Sequence, residues 1–507
     1  MAHQLARAPR RGQWVASYLH AWTTSLIPSP VCCSPKERCD CARASGVEPG
    51  PRFRATAAIA SVIAANLPDF DLFYTGVGGD RLAYMLHHRG YTHTVVLAIA
   101  GAFLVWGVAW SIRRWRAGEA PPRGDARWLL ALLMVSTLSH LALDWTNSYG
   151  VHPFWPIDDR WYYGDSVFIV EPWLWVASVP ALVMATRSRV ARVLLSLVLI
   201  AGLALAWLTS MVGVGAASAL TAGAILSVLL ARTLGADARV SAAFAGWLAV
   251  TGAMGAGAAT ARGAATRAVH ALDPTAELLD VVVSPLPANA VCMSVIVVER
   301  DGATYRVVTA RASAIPRIAD AARCGTARGT ATVFRASSRP STRALHWDSE
   351  WSAPVAELAG LARESCVARA ALRFIRVPAW SFAGDSTAHL GDVRFGGGGG
   401  GGFSDVTVKR GEARCDVNAP WVPPRSADMV RGAGGRVSSG AVSPALRELP
   451  AVAHAARRRE SASAGQPDAV RPMNCRRGVR GRTGCCVFVS RAYYSVSWDI
   501  IISQETL

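Results

Sequence analysis

A series of long apolar segments restricts how this chain can fold. After a short apolar stretch at about 55–67, longer ones lie at about 94–112, 128–146, 167–186, 190–209, 211–231 and 240–260. Helical segments of close to 20 apolar residues match the thickness of a bilayer, whereas 55–67 is too short to cross it comfortably. Of the 507 residues, 51% are hydrophobic and 17% are charged, which is apolar for a soluble protein. The pattern predicts a mainly α, polytopic transmembrane helix bundle.

Arginines give the predicted bundle an orientation. They fill alternate loops, as Arg113, Arg114, Arg116, Arg123 and Arg127, then Arg187, Arg189 and Arg192, then Arg232 and Arg239. The loop at 147–166 instead carries Asp158, Asp159 and Asp165. Because arginine-rich loops stay on the cytoplasmic side, residues 68–93, the end of the 128–146 segment and the 147–166 loop are predicted to meet on the outer side.

The formal charge of +18 raises the question of nucleic-acid binding. The arginines are dispersed between apolar segments and over the last 80 or so residues. No basic helix with interleaved aromatic residues occurs, so nucleic acid is not an expected partner.

Acidic residues and histidines lie at the ends of these apolar segments. Asp69 and Asp71 follow Pro68, and the segment HHRGYTH at 87–93 precedes the 94–112 stretch. Charge at the edge of a membrane span is costly and is usually there for function. Histidine and aspartate are also the ligands of hydrolytic zinc and related metal sites.

Two further side chains lie within an apolar segment. His140 and Asp144 are four residues apart, so a helix places them on one face. At that spacing an imidazole and a carboxylate can bind one ion, or the carboxylate can orient the imidazole. A buried structural His–Asp pair, a helix cap at 69–71 and an interfacial salt bridge are the structural alternatives.

We assign candidate roles from chemistry and position. The candidate metal ligands are Asp69, His88, His93, His140 and Asp144. Asp71 or Asp165 is a candidate proton acceptor, and Arg89 is a candidate partner for a phosphate-like charge. The ion is expected to be divalent, with Zn²⁺ favoured.

Residues 263–430 have a different character and predict a small soluble α+β domain. The segments VCMSVIVVER and ATYRVVTAR flank Asp301-Gly302, which indicates a β-hairpin. TATVFRA and HLGDVRF are further strand candidates, and PVAELAGLARE and ARAALRFI are helix candidates. Cys292, Cys324, Cys366 and Cys415 allow one or two disulfides if this domain faces an oxidising compartment.

Both termini differ from the rest of the chain. Residues 1–50 are rich in cysteine, proline and arginine, and we expect them to be disordered or frameshifted. Residues 431–507 have low complexity and are expected to be disordered. Residues 51–262 then form the predicted transmembrane domain, which carries the candidate metal site.

Several of these motifs occur together in a known family. PDFD, HHRGYTH, HLALDWTNSYGVHPFWP and GDSVFIVEP resemble the membrane-bound, predicted metal-dependent hydrolases of the bacterial inner membrane, some of them under SOS-repressor control. VVVSPLPANAV, GDVRF and APWVPPR extend the resemblance over roughly residues 52–428. The family usually opens with a Met-Asp-x-Leu-Thr-His-type segment, which this chain lacks in its written frame. The His-x-x-x-Asp helix and the TH motif are more distantly similar to zinc-dependent phospholipase C-like proteins.

The resemblance implies a multi-pass inner-membrane hydrolase. The site and the C-terminal domain are expected on the periplasmic side, with the bilayer and a lipid or phosphoester substrate as partners. A membrane scaffold or stress-response protein is the first alternative, and an ion- or proton-coupled transporter is the second.

Overall fold

The computed structural model describes residues 51–75, 81–117, 123–186, 188–209, 211–325, 333–398, 402–412, 415 and 419–427. All of them belong to one compact unit. The expectations for 1–50 and 431–507 lie outside the described residues.

The described α-helices cover most of the first half of the chain. In order they are α1 Pro51–Asn66, α2 Leu72–Thr75, α3 Arg81–His87, α4 Val95–Ala117, α5 Arg123–Thr146, α6 Pro172–Ala185, α7 Arg189–Leu208, α8 Val214–Thr233 and α9 Ala236–Leu272, followed later by α10 Val355–Glu364 and α11 Cys366–Ala371. Two 3-10 turns, Pro68–Asp71 and Tyr91–His93, interrupt the early helices.

Five of these helices are long and apolar enough to cross a membrane. They are α4, α5, α7, α8 and α9, and the count rises to six if α1 and the bent segment Pro68–Thr75 form one broken span. The result agrees with the predicted helical membrane bundle. It also agrees with the expectation that 55–67 does not form an ordinary span.

The segment predicted at 167–186 is shorter than expected. Helix α6 has 14 residues and begins at Pro172. The Glu171 side chain accepts a hydrogen bond from the Trp173 amide, and proline suits the first helical position because it has no N–H to leave unpaired. The helix therefore begins at Pro172, although apolar residues also precede Glu171.

The last membrane helix is longer than expected. Helix α9 has 37 residues and continues past both 260 and the predicted domain boundary at 262. Its end packs Ala258, Ala261, Ala265 and Val269 into a core made with the first sheet. A Cβ at Gly257 would lie 2.3 Å from the Ala290 carbonyl oxygen, so glycine permits this close approach. The helix therefore forms part of the α+β core.

The C-terminal region contains two antiparallel sheets. The first has strand order β1-β2-β3-β5-β4 and the second β6-β7-β8. The strands are β1 Glu277–Leu286, β2 Asn289–Asp301, β3 Thr304–Ser313, β4 Arg335–Ala336, β5 Leu345–Pro354, β6 Pro378–Phe382, β7 Thr387–Asp392 and β8 Val406–Lys409. Asp301 pairs with Thr304, which confirms the predicted hairpin. Of TATVFRA, the structure describes the last four residues, and among these Arg335 and Ala336 form strand β4.

The α+β region is docked on loops of the membrane part. The Trp161 indole N–H donates to the Arg373 carbonyl at 2.6 Å, and the Trp421 indole N–H donates to the Leu86 carbonyl at 2.6 Å. A single apolar core includes Leu86 and Trp161 together with residues of both sheets. The loops that carry the candidate site residues are thus fixed by the C-terminal region.

Two disulfides join the four cysteines of the α+β region. Cys292 pairs with Cys324, and Cys366 pairs with Cys415. Both pairings agree with the expectation of one or two disulfides among these residues.

We predict that both disulfides are present in protein isolated without reductant, because the region is expected to face an oxidising compartment. Alkylation followed by mass spectrometry should find no free thiol at these four cysteines. Replacing Cys366 and Cys415 together by serine should lower the free energy of unfolding by about 2–4 kcal/mol. Four alkylated cysteines would contradict both the pairing and the outer-side placement.

Candidate metal centre

Three pieces of backbone bring the candidate ligands together. Asp69 lies in the 3-10 turn Pro68–Asp71 that follows helix α1, and Pro68 is favourable at the start of that turn. His93 ends the turn Tyr91–His93, directly before helix α4. His140 and Asp144 lie one turn apart in helix α5, as their spacing predicts.

Four of the side chains form a compact group that could hold a metal ion. Asp69, His93, His140 and Asp144 each offer one ligand atom, and these atoms all lie within 4.8 Å of one another. We call these four residues the ligand group. The two imidazole Nε2 atoms are 3.2 Å apart. His93 Nε2 lies 3.3 Å from Asp69 Oδ1 and 3.1 Å from Asp144 Oδ2.

These separations fit a single small cation. His140 Nε2 lies 3.3 Å from both Asp69 Oδ1 and Asp144 Oδ2, so five of the six ligand–ligand distances are 3.1–3.3 Å. With zinc–ligand bonds of about 2.0–2.1 Å, the edge of a coordination tetrahedron is about 3.3 Å. The donor set and its spacing therefore fit Zn²⁺.

The other nitrogen of the His140 ring is fixed by the backbone. His140 Nδ1 lies 2.7 Å from the Ala65 carbonyl oxygen. A carbonyl can only accept, so Nδ1 carries the proton and a neutral His140 presents a lone pair at Nε2.

Similar reasoning applies to His93. Its Nδ1 lies 3.1 Å from the Thr92 hydroxyl and 3.3 Å from Asp71 Oδ2. The hydroxyl donates its proton to Asp71 Oδ2 at 2.9 Å, so it can only accept from His93. Both Nε2 lone pairs consequently face the two carboxylate oxygens, and only a cation or bound protons can relieve the repulsion.

In the absence of a metal, His93 can hold a proton. Its complete burial alone would lower the pKa, but hydrogen bonds to Asp144, Asp69 and Asp71 outweigh this and raise the pKa of His93 well above its usual value. A proton and a metal ion therefore compete for the same position.

Asp71 supports the ligand group from outside. Oδ1 lies 3.1 Å from His88 Nδ1, and Oδ2 accepts from the Arg89 amide at 2.9 Å as well as from Thr92. Asp71 is fully buried. Both oxygens have hydrogen-bonding partners, and Oδ2 also contacts His93 Nδ1, which positions that ring. The role of Asp71 as a proton acceptor stays a prediction.

Arg89 is also enclosed. It is 1% exposed, its Nη2 lies 3.0 Å from Asp144 Oδ1, and its Nη1 donates to Asn147 Oδ1 at 3.1 Å. The backbone adopts a left-handed φ of 59°, which is strained for arginine and is held by the bond of its amide to Asp71. The guanidinium thus fixes the second oxygen of Asp144. Its contact with a phosphate-like charge stays a prediction.

Two other predicted site residues lie outside the ligand group. His88 contacts Asp71 and packs edge-on against the His93 ring. Asp165 accepts two hydrogen bonds from Arg376, at 2.9 and 3.0 Å, and one from Arg262 at 2.7 Å. These arginines come from the α+β region and helix α9, so Asp165 joins them to the 147–166 loop.

Sequence reasoning did not nominate His152. It is fully buried between Trp161 and Trp421, with ring centroids 3.8 Å from each, and its Nδ1 lies 3.3 Å from the Arg89 carbonyl. Burial lowers the pKa of His152 to about 3, which keeps the ring neutral. Its partners lie far apart in the sequence, so only its place in the loop with the other polar residues could have indicated a role.

Asp69 is the most exposed member of the ligand group. The Asp69 side chain is 13% exposed, whereas those of His93 and His140 are fully buried and that of Asp144 is 8% exposed. Next to Asp69, the aromatic residues Phe70, Phe73 and Tyr74 are all more than half exposed. An apolar, aromatic surface therefore borders the accessible side of the group.

The fold and the site define an integral membrane helix bundle with a buried histidine–aspartate group at one end of its spans. Residues 41–214 match the family model described as YdjM inner membrane protein. The matched part contains the whole ligand group and supports a bacterial inner-membrane protein family, as the motifs suggested. The match says nothing of hydrolysis or zinc, and those remain predictions. Comparisons with curated proteins and with solved structures give no match.

We predict that Arg89→Met is strongly destabilising, by about 3–5 kcal/mol, because it leaves the Asp144 carboxylate buried without its cation. Arg160→Met is the matched control. Arg160 pairs with Asp158 at the surface, where such pairs contribute about 1 kcal/mol or less. Denaturant unfolding in detergent measures both. Equal effects would contradict the structural role of Arg89.

We also predict that metal-stripped protein loses stability as the pH rises. The pKa of His93 is raised in the folded state, so its proton contributes stability fully below the unfolded value of about 6.5 and loses it as the pH passes the raised value. Thermal unfolding of chelator-treated protein at about pH 6 and about pH 9 tests this. Metal-loaded protein should show a smaller decrease; a rise in stability with pH for the stripped protein would contradict the assignment.

Proposed function

We propose that this protein is a membrane-bound, metal-dependent hydrolase. The observation that carries the proposal is the spacing of the ligand group, in which five distances of 3.1–3.3 Å join two imidazole nitrogens and two carboxylate oxygens. Nitrogen and oxygen donors of this kind suit Zn²⁺ among the common divalent ions. A bound divalent ion would lower the pKa of a water molecule and polarise a scissile ester or phosphoester group.

The surrounding residues would keep the ligands in place. Asp71 holds the His93 ring through Nδ1, and the Ala65 carbonyl holds the His140 ring in the same way. Such outer contacts fix the tautomer and orientation of ligating histidines and raise their basicity. Arg89 fixes Asp144. In this proposal Asp71 and Arg89 are positioning residues, and the partly exposed Asp69 lies on the side where water and substrate arrive.

The surroundings of the site favour an amphiphilic substrate. Phe70 and Phe73 expose 59% and 66% of their surface beside Asp69, and their ring centroids lie 4.8 Å apart with the rings tilted by 41°. Aromatic side chains at the end of a membrane span lie at the level of lipid headgroups. A lipid or lipid-linked ester could keep its apolar part against them while its polar part reaches the ligand group. We propose that this face is periplasmic, following the arginine-rich loops at the opposite helix ends.

One observation favours a second function. Four protein ligands at tetrahedral spacing leave no open position, which is typical of structural zinc sites. The same group joins helix α5 to the turns that follow α1 and precede α4. A membrane scaffold clamped by a metal ion is therefore the alternative. Hydrolysis requires that the coordination expand or that Asp69 yield its place.

We predict that His93→Ala and His140→Ala each lower the bound metal from about one equivalent to below about 0.2 equivalents, since each removes an inward-facing nitrogen donor. His87→Ala is the control, because His87 stacks near Tyr91 outside the ligand group. Elemental analysis of purified, detergent-solubilised protein measures the content. Unchanged metal in both variants would contradict the ligand assignment.

Hydrolysis assays separate the two functions. The metal-loaded protein should cleave a lipid-like ester or phosphoester in mixed micelles, and His140→Ala should lose this activity with its metal. A protein that holds one tightly bound ion, cleaves none of these substrates and unfolds when the ion is removed would be a scaffold.

A further inference from the structure

A second feature of the membrane part is a cleft between three helices. It has a volume of about 250 Å³ and is lined by residues of α6, α8 and α9. Helix α6 packs against both α8 and α9, while those two make little contact with each other. The ligand group lies on other elements, so this cleft is separate from the candidate metal centre.

The cleft is apolar along its length and cationic at one end. Its walls include Trp173, Val176, Leu226 and Leu230, and Arg239 is its charged lining residue. The aromatic ring of Trp173 lies over Gly223, where a Cβ would come within 2.4 Å of the ring. The ring of Trp173 thus lines the cleft at one point, and the guanidinium of Arg239 lines it at another.

The Arg239 side chain has a hydrogen-bond donor without an acceptor among the described residues. Its Nη2 donates to the Leu234 carbonyl at 2.9 Å, and within the described residues its buried Nε has no acceptor and the guanidinium forms no ion pair. A guanidinium at the end of an apolar cleft is costly unless an anion accompanies it. Its planar donors match two oxygens of a phosphate.

The position of Arg239 fits the headgroup level of a bilayer. It lies in the first turn of helix α9, four residues after Gly235, and Arg232 ends helix α8 nearby in the sequence. Basic residues at the ends of membrane helices attract anionic lipids, and basic pockets between such helices bind their headgroups.

We propose that this cleft is a binding site for one anionic glycerophospholipid. Its phosphate would accept hydrogen bonds from Arg239, and an acyl chain would fill the apolar cleft between α6, α8 and α9. The net negative headgroup is favoured because the guanidinium has no acidic partner among the described residues. Occupation would join α8 and α9, which otherwise depend on α6 for their contact.

The test uses the full-length chain in detergent, titrated with phosphatidylglycerol and with phosphatidylcholine and followed by native mass spectrometry. Arg239→Gln removes the charge but keeps a donor for the Leu234 carbonyl, and Ala243→Phe fills the cleft. Arg232→Gln and Ala245→Phe are the controls, because both side chains are exposed and neither lines the cleft.

We expect one phosphatidylglycerol to bind the wild-type protein and both controls. Arg239→Gln and Ala243→Phe should each weaken this binding about tenfold or more, because a charge-assisted bond or the acyl volume is lost. Equal affinity for phosphatidylcholine, or unchanged affinity in Arg239→Gln, would overturn the proposal. If one variant fails to fold by thermal unfolding, the other decides. His93→Ala should bind the lipid normally, so failure of the proposed hydrolase leaves this test intact.

Discussion

The repulsion between four electron-rich atoms dominates this structure. Two histidine nitrogens and two aspartate oxygens converge where water is largely excluded, and the outer nitrogen of each ring is already committed as a donor. Such an arrangement is stable only around positive charge. Arg89, which contacts Asp144, and Asp71, which contacts His93, hold these ligands in place.

The α+β region supplies much of the constraint on these loops. Trp421 donates to the Leu86 carbonyl just before the HHRGYTH segment, and Arg376 holds Asp165 at the end of the 147–166 loop. Neither contact touches the ligand group. Both restrict the backbone on which His93 and the neighbours of Asp144 lie, so distant parts of the chain help to define the site.

Sequence reasoning recovered the membrane helices, the DG hairpin and the convergence of the two ligand-bearing segments, because each depends on local periodicity or on chain direction. The His140–Asp144 spacing was equally informative, since a helix converts four residues into one face. Sequence reasoning could not decide whether Asp69 or Asp71, and whether His88 or His93, belongs to the ligand group. Those choices depend on the 3-10 turns at 68–71 and 91–93, which direct nearby side chains to different places.

Long-range partners account for the remaining differences. Asp165 has the chemistry of a proton acceptor, but its partner Arg376 lies 211 residues away and was not identifiable as such. The apolar pattern likewise did not reveal that helix α9 ends only at Leu272, because Arg262, Gly263 and Arg267 interrupt the apolar run while the helix continues.

The continuous helix α9 has a consequence for how the chain can be divided. Its 37 residues correspond to a rod of about 55 Å, longer than the apolar thickness of a bilayer. The end of the helix packs against the first sheet and forms one layer of the core there. A fragment beginning at residue 263 would lack Ala258 and Ala261, which belong to the same core as Val283, Met293 and Val308. The extramembrane half of this molecule is therefore completed by a helix that begins in the membrane.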